Sequence, residues 1–99
     1  MKVVLSPEAV ERLEAQVAFL RDADAAAAAE RLRTCVMDLL SNHLARFPRT
    51  GRSLKDRDLW EIWIPRTRLV LWYRIEHESI LILTVWHTSQ NRSAAKPMP

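Results

Sequence analysis

The chain has little of what most small catalytic and binding modules depend on. It holds one cysteine, Cys35, among 99 residues, so no internal disulfide can form, a usage that fits a reducing cytosol. Its one glycine, Gly51, leaves few turns able to take a positive φ cheaply. There is no glycine-rich phosphate loop, and no serine sits in a nucleophile elbow. The cysteine and three histidines are scattered without ligand spacing, so neither a metal site nor a cofactor is expected. No apolar run approaches the roughly 18 residues of a membrane span. The opening residues, MKVVLSPEAVERLE, turn amphipathic at once and lack a signal-peptide core. A cytoplasmic protein is the expectation.

What is present is a globular composition, 48% hydrophobic, at a length that suits one domain. That domain is expected over residues 1–92, with 93–99 a flexible, polar, proline-containing tail. Net charge is only +3, but it is unevenly spread. Residues 1–45 carry five basic and seven acidic side chains, whereas 46–74 carry eight basic and three acidic ones. The excess of positive charge falls in the middle of the chain, a pattern of either an anionic partner or a solvated basic rim.

Lys2–Leu5 reads as a strand. Ser6-Pro7-Glu8 reads as a helix start, with a capping hydroxyl, proline at the first helical position and an acid near the positive end of the helix dipole. Val10, Leu13, Val17 and Leu20 follow at helical spacing, and the helix fades near residues 21–24. Asp22 or Asp24 is positioned to cap a second helix through the alanine run 25–29. Its apolar stripe continues through Leu32, Val36, Leu39 or Leu40, and His43 or Leu44, which makes an αα-hairpin. Phe47-Pro48 ends it. Residues 49–53 read as a turn with Gly51 its permissive residue, and 55–58 as a charged loop.

Three strand-like runs close the chain: Leu59–Ile64, stopped by Pro65; Arg68–Glu76; and Ile80–His87, apolar enough to be central. They hold all four tryptophans and the only tyrosine. In the middle run Leu69, Leu71, Tyr73 and Ile75 share one face and should meet the helices. Arg68, Val70, Trp72, Arg74 and Glu76 share the other, and should face solvent or a ligand. The order β-α-α-β-β-β, with helices and strands segregated, gives an α+β class. The first strand should join the sheet, leaving an open concave face opposite the helical hairpin.

The chemistry these residues permit is modest. His87 has the residue type for proton transfer near neutrality, or is a strand-end histidine hydrogen-bonded to a neighbour. Arg68, Arg66 or Lys55 can hold phosphate. For Arg68 the alternative is an ion pair with Glu61 or Glu76. Trp72 and Trp86 can stack on bases, or, like Trp60 and Trp63, pack in the core or an interface. Arg49, Arg52, Lys55, Arg57, Arg66, Arg74 and Arg92 complete the candidate target-binding set.

Taken together, the SPEA helix start, the FPRTGR turn, the IPRTRLVLWYRIE strand and the final ILILTVWH strand resemble the RelE/ParE superfamily of toxins from type II toxin–antitoxin modules. The likeness is nearest to ParE-type members. It implies a compact, microbial-RNase-like fold, a role in plasmid stabilisation or growth arrest, and a cognate antitoxin whose flexible segment wraps the helical hairpin and the sheet edge. RelE-like members resemble ribosome-dependent mRNA nucleases, and ParE-like members resemble inhibitors of DNA gyrase. Arg68 falls where RelE-like toxins carry an arginine. Their second arginine would fall near Ser89 and is missing, and no tyrosine follows in the tail. The common ParE-like ending H-G-A-R-D stands here as His87-Thr88-Ser89-Gln90-Asn91, its arginine displaced to Arg92. The resemblance therefore implies Arg68 and His87 as catalytic residues if the protein is a nuclease, and gyrase inhibition as the favoured activity. Outside the toxin class the remaining reading is a non-catalytic nucleic-acid-binding domain.

Overall fold

The computed structural model describes residues 1–88. The expected tail, together with Ser89 and Arg92, lies outside the described residues. Strand β1 (Lys2–Leu5) leads into helix α1 (Pro7–Asp22) and helix α2 (Ala26–Asp38), which runs on into a π-helical turn (Leu39–Leu44). Four strands follow: β2 (Arg52–Leu54), β3 (Leu59–Trp63), β4 (Leu69–Glu76) and β5 (Ser79–His87), with a 3-10 turn (Lys55–Arg57) between β2 and β3. All five strands form one sheet in the order β1-β5-β4-β3-β2. β1 joins parallel to β5, and every other pairing is antiparallel.

Ser6 begins α1 as its residue type suggests. Its Oγ accepts from the Ala9 N–H at 3.1 Å and donates to the Leu83 carbonyl at 2.8 Å, so one hydroxyl caps the helix and ties it to β5. The second helix starts differently from expectation. Its N-cap is Ala25, with no side-chain hydrogen bond. Asp24 is instead in the left-handed region, φ 59°, where its N–H closes the last turn of α1 on Arg21 O. The tight link between the helices uses that residue to end one helix rather than to cap the next.

The apolar stripe of α2 resolves its own ambiguity. Leu39, Leu40 and Leu44 are all buried, because the π-turn widens the backbone, with Ala45 N bonded to Leu40 O, and rotates both leucines toward the sheet. His43 is left exposed and its Nε2 meets Thr50 Oγ1 at 3.0 Å.

The main core lies between the helices and one face of the sheet. Val17, Leu32, Val36 and Leu39 meet Leu69, Leu71, Tyr73, Ile80, Ile82 and Val85, with Ile75 packed against them. The expected face of β4 is therefore the inner face.

Two features of the sheet differ from expectation. Arg52–Leu54 is a strand and not a turn; three residues pair with β3, Arg52 opposite Glu61 and Leu54 opposite Leu59. A run this short and polar shows no period in sequence and forms only because β3 offers it an edge. The outer face is also not an open concave surface. Val70, Trp72, Leu59 and Trp86 form a second buried cluster there, with Leu54 and Leu83 against it. A bulge makes this possible. Trp72 pairs with Thr84 but Tyr73 pairs with Ile82, so Leu83 is an extra residue on β5. The extra residue resets the alternation: Ile80, Ile82 and Val85 point to the helices, while Trp86 turns outward to meet Trp72 edge to face, 6.2 Å between ring centroids.

Tyr73 fastens the 48–51 turn to the core. Its hydroxyl donates to Pro48 O at 2.8 Å and accepts from the Gly51 N–H at 3.1 Å, and Trp60 stacks on its ring. Burial pushes its ionisation up from the ordinary 10.0, with the Gly51 hydrogen bond pulling the other way. The native state holds this proton more tightly than the unfolded chain, so this contribution to stability is complete below about pH 10 and is lost as pH rises above it. Tyr73→Phe is expected to cost about 1–3 kcal/mol in urea unfolding, because two backbone groups lose their partner. It should also reduce the alkaline fall in stability. An unchanged midpoint would mean that water replaces the hydroxyl.

Candidate functional site: a basic cleft between the helices and the β4 start

The β3–β4 connection carries the arginines that matter most. Pro65 ends β3, having no N–H for the ladder. The chain then turns tightly: Thr67 N and Thr67 Oγ1 both donate to Ile64 O, Thr67 Oγ1 accepts from Leu69 N, and Ile64 N bonds to Leu69 O. Thr67 thus staples the loop from within. Arg66, at its tip, is in the left-handed region with φ 64°, a conformation that costs a residue with Cβ roughly 1–2 kcal/mol. Arg68 is fixed from β5, its carbonyl accepting from the Thr88 N–H at 2.8 Å.

This loop forms one wall of a cleft of about 340 Å³. The C-terminal half of α1 and the first turns of α2 form the other, and the end of β5 closes it. Arg66, Arg68 and His87 come together there, three residues the sequence singled out. Arg31 from α2 joins them, with Gln16, Thr67 and Cys35, over an apolar floor that includes Leu20, Leu32 and Leu69. Phe19, 66% exposed, stands at the cleft on α1. One Arg66 N–H group points at Cys35 Sγ, 3.8 Å away. Among the described residues no carboxylate, lysine or tyrosine lines the cleft.

Sequence reasoning passed over Arg31. The available signal was its place one turn before Cys35 and one residue from Leu32, beside the buried stripe. Only the packing of α2 against the β3–β4 loop shows which strand end it reaches.

The remaining candidates are elsewhere. Arg52 makes a 2.9 Å ion pair with Glu61, and the same carboxylate, 4% exposed, accepts from Trp72 Nε1 at 2.9 Å. Glu61 therefore partners Arg52, and Arg68 makes no ion pair with it or with Glu76 among the described residues. Arg74 lies 3.9 Å from Glu76. Arg49, Lys55 and Arg57 sit with Arg52 around β2, at the other side of the sheet from β1, and none lines the cleft. Trp72 and Trp86 are buried, 3% and 6% exposed, with their rings against each other. The expectation that they offer faces for stacking on a target is corrected: their apolar area is used in the second cluster. Trp63, by contrast, is exposed. Among the described residues no three His, Cys, Asp or Glu side chains gather to hold a metal.

A strand, a helical hairpin and an antiparallel meander, with a basic cleft at the start of its central strand, make a small α+β domain. The family model described as ParE toxin of type II toxin-antitoxin system, parDE, matches residues 3–92, and the chain belongs to that family. The fold is similar to a solved structure, a chromosomal ParDE TA system from P. aeruginosa, with a TM-score of 0.73 over 88% of this chain and 95% of that one. The two are 15% identical, a likeness of fold. A search of curated proteins finds no match. The protein is thus the toxin component of a type II toxin–antitoxin module, and a cognate antitoxin is its partner.

Proposed function

We propose that this toxin arrests growth by inhibiting DNA gyrase and does not cleave mRNA. The observation that carries this reading is the composition of the cleft. Cleavage by 2′-OH attack needs a proton acceptor, a proton donor and charge on the transition state. The arginines supply charge, but among the described lining residues only His87 and Cys35 are of a type that transfers protons, and no described carboxylate, lysine or tyrosine stands beside them. Tyr73, the only tyrosine in the chain, is buried with its hydroxyl occupied by Pro48 and Gly51. A single imidazole among guanidiniums suits binding better than acid–base chemistry. The second reading, a ribosome-dependent mRNA endonuclease, is favoured by one observation: Arg68 and His87 do share the cleft.

A second groove on the hairpin offers the antitoxin a suitable surface. A groove lined by Leu5, Val10, Leu13, Val17, Val36 and Met37 is apolar, and Met37 in it is 60% exposed. It adjoins β1, whose outer edge pairs with no other strand among the described residues. An amphipathic antitoxin segment seated there would cover the hairpin and the sheet edge together. No described helix is long and apolar enough to cross a membrane, and the proposed target is cytoplasmic.

Induction of the toxin alone should stop growth, and a co-expressed antitoxin should restore it. Supercoiling by purified gyrase should fall when the toxin is added, while the 5′ ends of cellular mRNA stay as in uninduced cells. Codon-phased cuts that vanish in Arg68→Ala or His87→Ala, with supercoiling unaffected, would replace this reading with the nuclease.

A further inference from the structure

We infer that the cleft is a binding site for a nucleoside 5′-monophosphate group, its phosphate held by Arg31, Arg66 and Arg68 and its base laid on Phe19. Three arginines line one cleft, and none of the described residues that line it carries a carboxylate. None of the three is in an ion pair among the described residues, a state they share with Arg21, Arg33, Arg46 and Arg49; what sets them apart is that they gather in one cleft. Like charges gathered without a counter-charge repel one another, and a bound anion removes that cost. A phosphate monoester, carrying close to two negative charges at neutral pH, matches this cluster better than an internal phosphodiester, which carries one. Guanidinium groups also suit phosphate oxygens in geometry.

The cleft asks for more than phosphate. Its floor is apolar and Phe19 leaves most of its ring exposed at the cleft. An aromatic face beside an anion site is the arrangement that receives a base. The volume, about 340 Å³, lies at the lower end of small-ligand sites and suits one nucleotide rather than a strand. Gln16 and Thr67 add polar groups along the walls. The left-handed backbone at Arg66 points the same way: strain at a loop tip persists where the surroundings enforce it, and it collects at ligand clamps. Among the described residues the other two with positive φ are Asp24 and Asp58, a type that tolerates the conformation through its short polar side chain. Arginine has no such relief.

The inference does not rest on which target the toxin arrests, and its test reads neither growth nor supercoiling. The full-length chain is titrated by calorimetry and by amide chemical shifts with 5′-AMP, adenosine, inorganic phosphate, and a trinucleotide with and without a 5′-phosphate. AMP should bind saturably, with shifts at residues 16–19, 31–35 and 66–69, and adenosine at least about tenfold more weakly, since a charge-assisted pair is lost. Arg31→Ala and Arg68→Ala should each weaken AMP by about tenfold, while Arg46→Ala, on an exposed arginine outside the cleft, should not. Phe19→Ala should weaken AMP and leave inorganic phosphate unchanged. Arg66→Gly should weaken AMP without lowering the unfolding temperature, because glycine accepts that φ freely. Binding of the 5′-phosphorylated trinucleotide alongside AMP would place the natural source at a chain end as well as in the free nucleotide pool; binding of AMP alone would limit it to the pool. Equal affinity for AMP and adenosine, equal binding of the trinucleotide without its 5′-phosphate, no saturation by AMP at millimolar concentration, or an Arg46→Ala effect as large as that of Arg68→Ala would each overturn the site.

Discussion

Gly51→Ala is expected to destabilise the protein by about 2–4 kcal/mol, combining overpacking with a lost hydrogen bond. The reason is space, not backbone freedom: no glycine in the structure has a positive φ. A Cβ at Gly51 would stand 2.6 Å from Glu61 O and 2.7 Å from the Tyr73 hydroxyl. Neither neighbour can yield easily. Glu61 O belongs to β3 where Arg52 pairs with it, and the Tyr73 ring is fully buried. The turn would have to move outward, parting the Gly51 N–H from Tyr73 and loosening β2. Tyr73→Phe removes one of the two clashes, so the double variant should cost less than the sum of the single changes. Urea unfolding of the four proteins measures this coupling. A loss below about 1 kcal/mol for Gly51→Ala, or strict additivity, would show that the turn shifts off Tyr73 at little cost.

Leu71→Ala is expected to cost about 2–5 kcal/mol, a large part of the stability of a domain this size. Leu71 is fully buried on the inner face of the central strand, opposite Ile62 and Val85 and beneath the helices. Truncation leaves a cavity walled by two strands and α2, and such walls relax only partly. Val70→Ala, one residue along and equally buried in the smaller outer cluster, removes fewer atoms and should cost less. Chemical denaturation with an unchanged m-value would assign the loss to stability alone. A loss under about 1 kcal/mol for Leu71→Ala would contradict the packing of β4, since a one-residue slip exchanges its two faces.

The basic cleft was half legible. Arg66, Arg68 and His87 stood out because they flank strand ends and bear charge or a titratable ring. Arg31 did not, because its relation to them is a matter of how α2 lies across the β3–β4 loop. For the tryptophans the sequence left two readings open. An indole reads the same in sequence whether it is a platform or a packing group, and Trp72 and Trp86 became packing groups once the bulge at Leu83 turned Trp86 to the outer face. With Gly51 the one glycine, the left-handed positions among the described residues fall to Asp24, Asp58 and Arg66, and the sequence does not show which residues take them.

By itself the sequence determined the order of the main elements, the start of α1 at Ser6, the inner face of β4 and most of the apolar stripe of α2; of the expected α1 stripe Val17 is buried, Leu13 and Leu20 are partly buried and Val10 is exposed. Each of these follows from short-range periodicity and capping, which are written in neighbouring residues. The tertiary structure alone decided the short strand β2, the π-turn that buries both Leu39 and Leu40, the outer tryptophan cluster, and the meeting of Arg31 with Arg66, Arg68 and His87. Those depend on contacts between residues far apart in the chain, where a single bulge or a wider helical turn changes which side chains meet and leaves no local mark in the sequence.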